Sequence, residues 1–131
     1  MAKVQGVAER YWRAEETRDV EAILAQYHPN AELIVPEMGR LVGHHEIRGF
    51  YEASIRRFPF LRVEVLSGFE HADDGAFEWR ATFVDYEGRS VILQGVNVIS
   101  TRDGVFQSVH VYYDPAPLGV SAVSELDDSQ T

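Results

Sequence analysis

The sequence predicts an α+β fold, and three observations carry that prediction. Apolar residues recur at helical spacing in three stretches of the first half of the chain. In the second half the period changes to two residues, which is typical of strands with one buried face. The pairs Glu87-Gly88 and Asp103-Gly104 are hairpin signals that separate strands of this half. Helices followed by consecutive strands favour one α+β domain.

Two helices are predicted at the start of the chain. Residues 3–17 form an amphipathic pattern that includes Tyr11. Asp19 is a good N-cap for a second helix, whose apolar stripe runs to Tyr27. We therefore expect Tyr11 and Tyr27 to lie on separate helices.

One short strand and a third helix complete the predicted first half. The strand covers Ala31 to Val35, and a loop with two glycines follows over 36–43. The third helix runs from His44 to Phe58 and is stopped by Pro59. One tyrosine thus lies on each predicted helix, around one strand. Three hydroxyls in one apolar space could stabilise a negative oxygen, and these are Tyr11, Tyr27 and Tyr51.

The second half predicts an antiparallel meander. Its expected strands cover residues 61–70, 77–83, 90–100 and 105–113. The strand over 90–100 is apolar on both sides near its middle. Its outer face therefore predicts a homodimer through the sheet.

Length, charge and composition exclude several classes of function. The 131 residues suit one domain, predicted over 1–118, followed by an acidic tail over 119–131 that is expected to be mobile. A net charge of −9 argues against a nucleic-acid or anionic-membrane partner. The chain has no cysteine, and its start lacks the apolar core of a signal peptide, so a cytoplasmic location is expected. No cofactor motif is evident, and His44-His45-Glu46 is interpreted as a helix cap, not a metal site.

The order and spacing of these residues resemble the nuclear-transport-factor-2-like superfamily over about residues 4–115. This superfamily includes ketosteroid isomerases, SnoaL-like polyketide cyclases and limonene epoxide hydrolases. The resemblance implies a cone-shaped curved antiparallel sheet wrapped around N-terminal helices, with a central apolar pocket. The matching residues are Tyr11, Asp19-Val20-Glu21-Ala22-Ile23, Tyr27, Ala31, Pro36, Gly43, Ile47, Phe50-Tyr51, Glu87-Gly88-Arg89, Asp103-Gly104 and Tyr112-Tyr113.

Ketosteroid isomerases give the nearest comparison for individual residues. The resemblance implies that Tyr11 is an oxyanion-hole tyrosine and that Tyr27 and Tyr51 support it. Asn97 matches the protonated aspartate of that family, and an asparagine amide can donate hydrogen bonds without a raised pKa. Alternatively, Asn97 bonds a neighbouring strand or a dimer partner. The position of the family's base falls on Val35, which cannot accept a proton.

Another group must therefore act as the base if the protein is an enzyme. Glu37 is the first candidate, because a carboxylate half-buried at the pocket mouth would have a raised pKa. A solvated loop glutamate is the alternative. His110 is expected to face away from the pocket unless a bulge reverses its strand. Glu78 and Arg80 are expected to form an ion pair that faces outward or lies at an interface, and the epoxide hydrolase interpretation would need them to face inward.

The sequence thus supports three hypotheses. The first is a cofactor-free isomerase or cyclase for a small apolar carbonyl compound, with Tyr11, Asn97 and either Glu37 or a bound water as its catalytic groups. The second is a ligand-binding domain that has lost the base, and the third is an association module that uses the sheet face. An epoxide hydrolase or hydratase is a further alternative. The expected substrate-binding residues are Trp12, Tyr27, Leu33, Val35, Phe50, Tyr51, Leu93, Ile99, Val109 and Tyr113.

Overall fold

The computed structural model describes residues 3–118 of the chain. The acidic tail predicted over 119–131 lies outside the described residues. No helix within 3–118 has the length and apolar content needed to cross a membrane. The elements in chain order are α1 (Lys3–Glu16), α2 (Val20–Leu24), β1 (Tyr27–Val35), β2 (Gly39–Val42), α3 (Gly43–Arg57), β3 (Phe60–His71), β4 (Asp74–Val84), β5 (Ser90–Arg102) and β6 (Val105–Tyr113).

A six-stranded sheet in the order β2-β1-β6-β5-β4-β3 packs one face against the helices. This confirms the predicted α+β fold. Strands β3 to β6 form the predicted antiparallel meander. The register shifts once within the β3–β4 pair and once within the β5–β6 pair, and irregularities of this kind bend a strand. One pair departs from the predicted antiparallel sheet, because β1 runs parallel to β6.

The second helix is shorter than predicted, and Tyr27 does not lie on it. Asp19 is its N-cap as expected, and the Asp19 carboxylate accepts hydrogen bonds from the first turn. The helix ends at Leu24, and Tyr27 begins β1. The Gln26 carbonyl accepts a hydrogen bond from the Phe106 N–H at 2.8 Å. This bond ties the chain to β6, so pairing with the sheet overrides the helical apolar pattern.

The segment predicted as a loop over 36–43 contains strand β2. Leu41 of β2 pairs with Leu33 of β1 in an antiparallel register. Gly39 and Gly43, with φ of 72° and 83°, begin β2 and start α3. Both φ values lie in the left-handed region, where glycine is favoured. The two glycines that suggested a loop therefore mark the two ends of a short edge strand.

Helix α1 is fastened to β3 at both of its ends. The Glu70 carboxylate accepts hydrogen bonds from two N–H groups at the start of α1, the shorter at 3.0 Å. Near its end, Glu16 accepts from the Val63 N–H at 2.8 Å, and Arg13 donates to the Val63 carbonyl at 3.1 Å. These two contacts also occupy backbone groups of β3 that face the open edge of the sheet.

The two faces of the sheet differ in what covers them. Trp79, Ala81 and Leu93 on the face that meets the helices are buried. The opposite face exposes large apolar side chains, with exposed fractions of 55% at Ile92 and 45% at Val98. The described chain leaves this outer face open to solvent.

Candidate active site

A cavity of about 600 Å³ lies between α1, α3 and the inner face of the sheet. Its volume suits a small organic molecule. Apolar and aromatic side chains predominate in its wall, with a few polar groups among them. The lining residues are Tyr11, Trp12, Glu15, Leu33, Val35, Glu37, Met38, Phe50, Tyr51, Ala53, Ser54, Arg56, Arg57, Phe58, Val63, Trp79, Ala81, Phe83, Leu93, Asn97, Val111, Tyr113 and Leu118.

Three buried tyrosines form a hydrogen-bonded chain behind and within this wall. The Tyr51 hydroxyl lies 2.7 Å from the Tyr11 hydroxyl and 2.5 Å from the Tyr27 hydroxyl. The rings of Tyr11 and Tyr27 both pack edge-on against Phe106, at 5.1 Å and 5.2 Å between centroids. Tyr11 and Tyr51 reach the cavity, and Tyr27 stands behind Tyr51 without lining it.

Burial keeps these hydroxyls protonated. It is the main cause that raises the pKa of Tyr11, Tyr51 and Tyr27 well above the ordinary tyrosine value, and negative charge near Tyr11 adds to the effect. Each hydroxyl carries one proton to donate. If Tyr27 donates to Tyr51 and Tyr51 donates to Tyr11, the Tyr11 proton is directed out of the chain, where the Glu15 carboxylate or a ligand oxygen can accept it.

Asn97 is buried in the cavity wall and held in one orientation by Trp79. The Trp79 indole N–H donates to Asn97 Oδ1 at 2.8 Å. An indole nitrogen is only a donor, so this bond assigns the amide oxygen of Asn97 to Trp79. The two N–H bonds of the amide then remain as the donors that Asn97 can offer to the cavity.

Glu15 is a buried carboxyl in the wall, with an exposed fraction of 9%. It lies one helical turn after Tyr11 and three residues after Trp12, so all three project from one face of α1. Burial raises the pKa of Glu15, and the Tyr11 hydroxyl and the Arg18 guanidinium act in the opposite direction. A carboxyl with a raised pKa beside a neutral hydroxyl donor is suited to proton transfer.

Arg18 stabilises the ionised form of Glu15 from outside the cavity wall. Its guanidinium lies 3.8 Å from the Glu15 carboxylate, and both side chains are largely buried. It also donates to the Phe58 carbonyl at 3.1 Å and to the Ser54 hydroxyl at 2.9 Å. These bonds tie the residue just after α1 to the end of α3.

Glu37 lies at the cavity mouth, but it is exposed, so the half-buried carboxylate expected there is not found. Its carboxylate accepts a hydrogen bond from the Tyr113 hydroxyl. Partial burial, followed by this contact with Glu37, raises the pKa of Tyr113. Glu37 is exposed because it follows Pro36 in the turn between β1 and β2, beyond the last residue of β1.

Most residues expected to bind substrate line the cavity, and three do not. Leu33, Val35, Leu93, Trp12, Phe50, Tyr51 and Tyr113 are in the lining set. Tyr27, Ile99 and Val109 are buried in the core outside it. Ile99 and Val109 do face the helices, and they pair with each other across β5 and β6. That end of the sheet is covered by the start of α1, since Val4 packs against Gly75, the residue paired with Ile99 on β4.

The polar residues of the outer face do not join the site. Glu78 accepts from the Ser67 hydroxyl at 2.9 Å, and Arg80 lies 3.7 Å from Glu64. Both face outward as predicted, but the ion pair expected between them is not formed, because each has a nearer partner on β3. His110 also faces outward and stacks on Tyr112 at 4.0 Å between ring centroids.

The His44-His45-Glu46 sequence serves the start of α3. Glu46 accepts a hydrogen bond from the Val42 N–H at 2.7 Å, and His44 Nε2 lies 2.8 Å from the Tyr27 carbonyl oxygen. This agrees with the predicted helix cap. Within residues 3–118, no three histidine, aspartate or glutamate side chains are grouped closely enough to hold a metal ion.

Comparison with known proteins assigns the family. The family model of the SnoaL-like domain matches residues 8–109, which is most of the chain. The chain belongs to the SnoaL-like domain family. With this assignment, the resemblance to the nuclear-transport-factor-2-like superfamily is confirmed. No protein of curated function matches the sequence significantly.

Solved structures with the same fold share little sequence with this SnoaL-like protein. TerC, crystallised with polyporic acid, is 20% identical, with a TM-score of 0.77 over 90% of this chain and 96% of its own. A protein of ketosteroid isomerase-like fold from Catenulispora acidiphila, in complex with trimethylamine, is 13% identical, with a TM-score of 0.74 over 82% and 85%. A candidate SnoaL-like polyketide cyclase from Jannaschia sp. CCS1 is 16% identical, with a TM-score of 0.75 over 88% of each chain. At these identities the likeness shows the fold alone.

Glu15 of this SnoaL-like protein was not among the site residues predicted from the sequence. The signal was present, because Glu15 continues the apolar stripe that runs through Ala8, Tyr11 and Trp12 on α1. An acidic residue at a stripe position is directed toward the core, where charge is unfavourable unless it is paired. Glu15 lies on α1, whereas the base was expected near the end of β1, beside Val35.

Proposed function

We propose that this SnoaL-like protein is a cofactor-free acid/base enzyme for a small, mostly apolar carbonyl or enol compound. One observation carries the proposal: a buried carboxyl with a raised pKa, Glu15, lies beside the protonated Tyr11 hydroxyl in an apolar cavity. The reaction class is isomerisation or cyclisation through an enolate. The complexes of TerC and of the Catenulispora acidiphila protein with small molecules support a binding role for this cavity.

The substrate oxygen is bound by neutral donors. The Tyr11 hydroxyl and the Asn97 amide each donate a hydrogen bond to the carbonyl oxygen. These bonds strengthen as negative charge develops on that oxygen. Tyr51 and Tyr27 orient the Tyr11 proton by donating along the chain, and Trp79 orients Asn97. Loss of one such donor lowers turnover by about 10²–10³-fold in known systems.

Glu15 carries the proton. Its carboxylate removes a proton from the carbon next to the carbonyl, and the electron pair of the C–H bond forms the enolate. The resulting Glu15 carboxylic acid is neutral, so no second negative charge faces the enolate oxygen. Return of the proton to a different carbon completes an isomerisation. In a cyclisation, the enolate carbon instead attacks a second carbonyl, and the new alkoxide takes the proton.

Proton exchange into a simple ketone tests this proposal without knowledge of the natural substrate. In D₂O, the wild-type protein is expected to catalyse deuterium exchange at C1 of 2-tetralone, followed by proton NMR. Glu15→Gln is expected to lower the exchange rate by about 10²–10⁴-fold, because it removes the base and keeps the shape. Tyr11→Phe is expected to lower it by about 10²-fold.

Glu9→Gln is the matched control, since Glu9 is exposed on the same helix and outside the cavity. Its exchange rate is expected to equal that of the wild type. Full activity in Glu15→Gln would refute Glu15 as the base. If Glu37→Gln instead showed the loss of exchange rate expected for Glu15→Gln, the role would move to Glu37. No exchange above the buffer rate in the wild type would refute the enolate proposal.

A binding protein without catalysis is the second candidate. Val35 favours it, because the strand end that lines the cavity offers no base. It predicts saturable binding of 2-naphthol, a phenol with an enol-like oxygen, with no exchange of 2-tetralone. The epoxide hydrolase alternative has less support, because Glu78 and Arg80 face away from the cavity.

We also propose that two copies pair through the outer face of the sheet. Val98 and Ile92 on β5 and Tyr112 on β6 are 45–55% exposed on this face, and apolar surface of this kind is typical of interfaces. The charged side chains Glu78 and Arg80 lie beside this apolar surface on β4, where they could contact the second copy. Sedimentation at micromolar protein should give the mass of a dimer, and a monomer at that concentration would refute the pairing.

A further inference from the structure

Two adjacent arginines at the end of α3 line the cavity, and neither has a carboxylate partner in the part of the chain that the structure describes. Within residues 3–118, seven of the eleven arginines pair with an acidic side chain, at places throughout the fold. Among residues 3–118, no carboxylate lies within ion-pair distance of Arg56 or Arg57. Both side chains belong to the cavity wall. In a chain with 21 acidic and 12 basic residues, this local excess of positive charge is unusual.

The geometry of Arg57 leaves its donors free. Its guanidinium carbon lies 4.8 Å from the centroid of the Phe58 ring, and Phe58 is itself a buried lining residue. Stacking on an aromatic ring uses the flat face of the guanidinium. The N–H groups lie in the plane and can therefore bind a carboxylate in a bidentate manner. Phe58 thus holds a guanidinium at the cavity mouth, and no group within residues 3–118 uses its hydrogen-bond donors.

The position of the pair at a helix end explains part of this arrangement, but not all of it. Arginine in the last turn of a helix interacts favourably with the helix dipole. That interaction does not require either side chain to line a cavity. The other charged lining groups are Glu15, which Arg18 accompanies, and Glu37, which binds Tyr113. Neither carboxylate forms an ion pair with Arg56 or Arg57, so the pair remains available to a ligand.

We propose that the natural ligand is an organic anion, in which an apolar body carries a carboxylate that Arg56 and Arg57 bind at the cavity mouth. This inference rests on the proposed function, since the opposite end of the ligand supplies the oxygen bound by Tyr11. The apolar lining of the cavity, which includes Trp79 and Leu93, fits a ring system. A net charge of −9 repels anions at a distance, so an anionic ligand needs a local pair of cationic side chains at the cavity mouth.

Two matched fluorescent probes test the inference. 2-Naphthol presents one enol-like oxygen, and 6-hydroxy-2-naphthoate adds a carboxylate at the far end of the same rings. The wild-type protein at low salt is expected to bind the carboxylate probe about tenfold more tightly than 2-naphthol. This difference in affinity should shrink in 0.5 M NaCl, because the cavity mouth is partly exposed and salt screens the attraction between the carboxylate and the arginines.

Variants separate charge recognition from general damage to the fold. The double variant Arg56→Gln/Arg57→Gln should lose the tenfold advantage and keep the wild-type affinity for 2-naphthol. Arg56→Lys/Arg57→Lys should keep part of the advantage, because the charge remains but the bidentate geometry is lost. Arg48→Gln, on the same helix but paired with Glu21, should change neither affinity.

The outcomes distinguish this inference from the proposed function. Equal affinity of the wild type for the two probes, or an advantage that survives in the double glutamine variant, would overturn the anion site alone. A 2-naphthol affinity that is unaffected by Tyr11→Phe would overturn the oxygen site proposed above and leave the arginine result standing. Failure of both probes to bind the wild type would overturn both proposals.

Discussion

The substitution Glu15→Gln probes the physical core of the site, because it removes one charge and preserves the shape of the side chain. Burial raises the folded-state pKa of Glu15 above its value in the unfolded chain. Between these two pKa values the folded protein binds more protons than the unfolded chain. The free energy of unfolding therefore falls as pH rises through this interval. Glutamine does not titrate, so the variant lacks this dependence.

The magnitude follows from linkage. The stability of the wild type relative to Glu15→Gln should be greatest below about pH 4.3, where Glu15 is protonated in both states. Above that pH it should fall by up to about 1.4 kcal/mol per pH unit and become constant above the folded-state pKa. The pH at which the difference becomes constant thus reports the folded-state pKa of Glu15. The nearby Arg18, 3.8 Å away, limits the total fall.

Urea unfolding of both proteins from pH 4 to pH 8 measures this difference. Glu9→Gln controls for the loss of one surface carboxylate on the same helix. A difference in unfolding free energy that does not change with pH would refute the desolvation of Glu15. A difference that rises with pH would mean that Arg18 outweighs burial, and Glu15 would then be a structural ion pair with an ordinary or lowered pKa.

Three further predictions concern the surroundings of the site. Gly95→Ala should destabilise the fold by about 1–3 kcal/mol or more, because the added Cβ would lie 2.4 Å from a carbonyl oxygen of β6. In Gly49→Ala, on α3, the added Cβ meets nothing within 4 Å, so this control should be neutral or stabilising. Thermal unfolding of the two variants measures the difference. Trp79→Phe should weaken 2-naphthol binding, because Asn97 loses the donor that orients its amide; unchanged affinity would remove Asn97 from the site. Val98→Asp should convert the proposed dimer to a monomer in sedimentation, with 2-naphthol binding retained.

The fold was predictable because its signals are local. Alternation along 77–83 and the hairpin at Asp103-Gly104 fix strand directions without knowledge of the rest of the chain. Tyr27 shows where local signals fail. Its helical spacing is real, yet the segment pairs with β6, a strand that begins 78 residues later in the chain. Long-range pairing of this kind leaves no trace in the local period.

The depth of a side chain was harder to predict than its direction. Ile99 and Asn97 share one face of β5, but only Asn97 reaches the cavity, since the start of α1 covers the other position. The inward direction follows from a two-residue period, whereas depth depends on which helix covers which end of the sheet. Glu15 was not predicted, although its place on the apolar stripe of α1 made its inward direction readable from the sequence.

The attachment of α1 to β3 has a consequence for how the ligand range of this protein can change. Tyr11 and Glu15 lie on one helix, which Glu70 and Glu16 secure at its two ends. The relative position of the two side chains is therefore preserved together. Leu33 lies on β1, a separate element, and contributes an apolar surface to the cavity wall but no reactive group. Replacing wall residues of this kind can therefore reshape the cavity while the proposed proton-transfer groups keep their positions, which makes the strands the natural place for diversification and for engineered libraries.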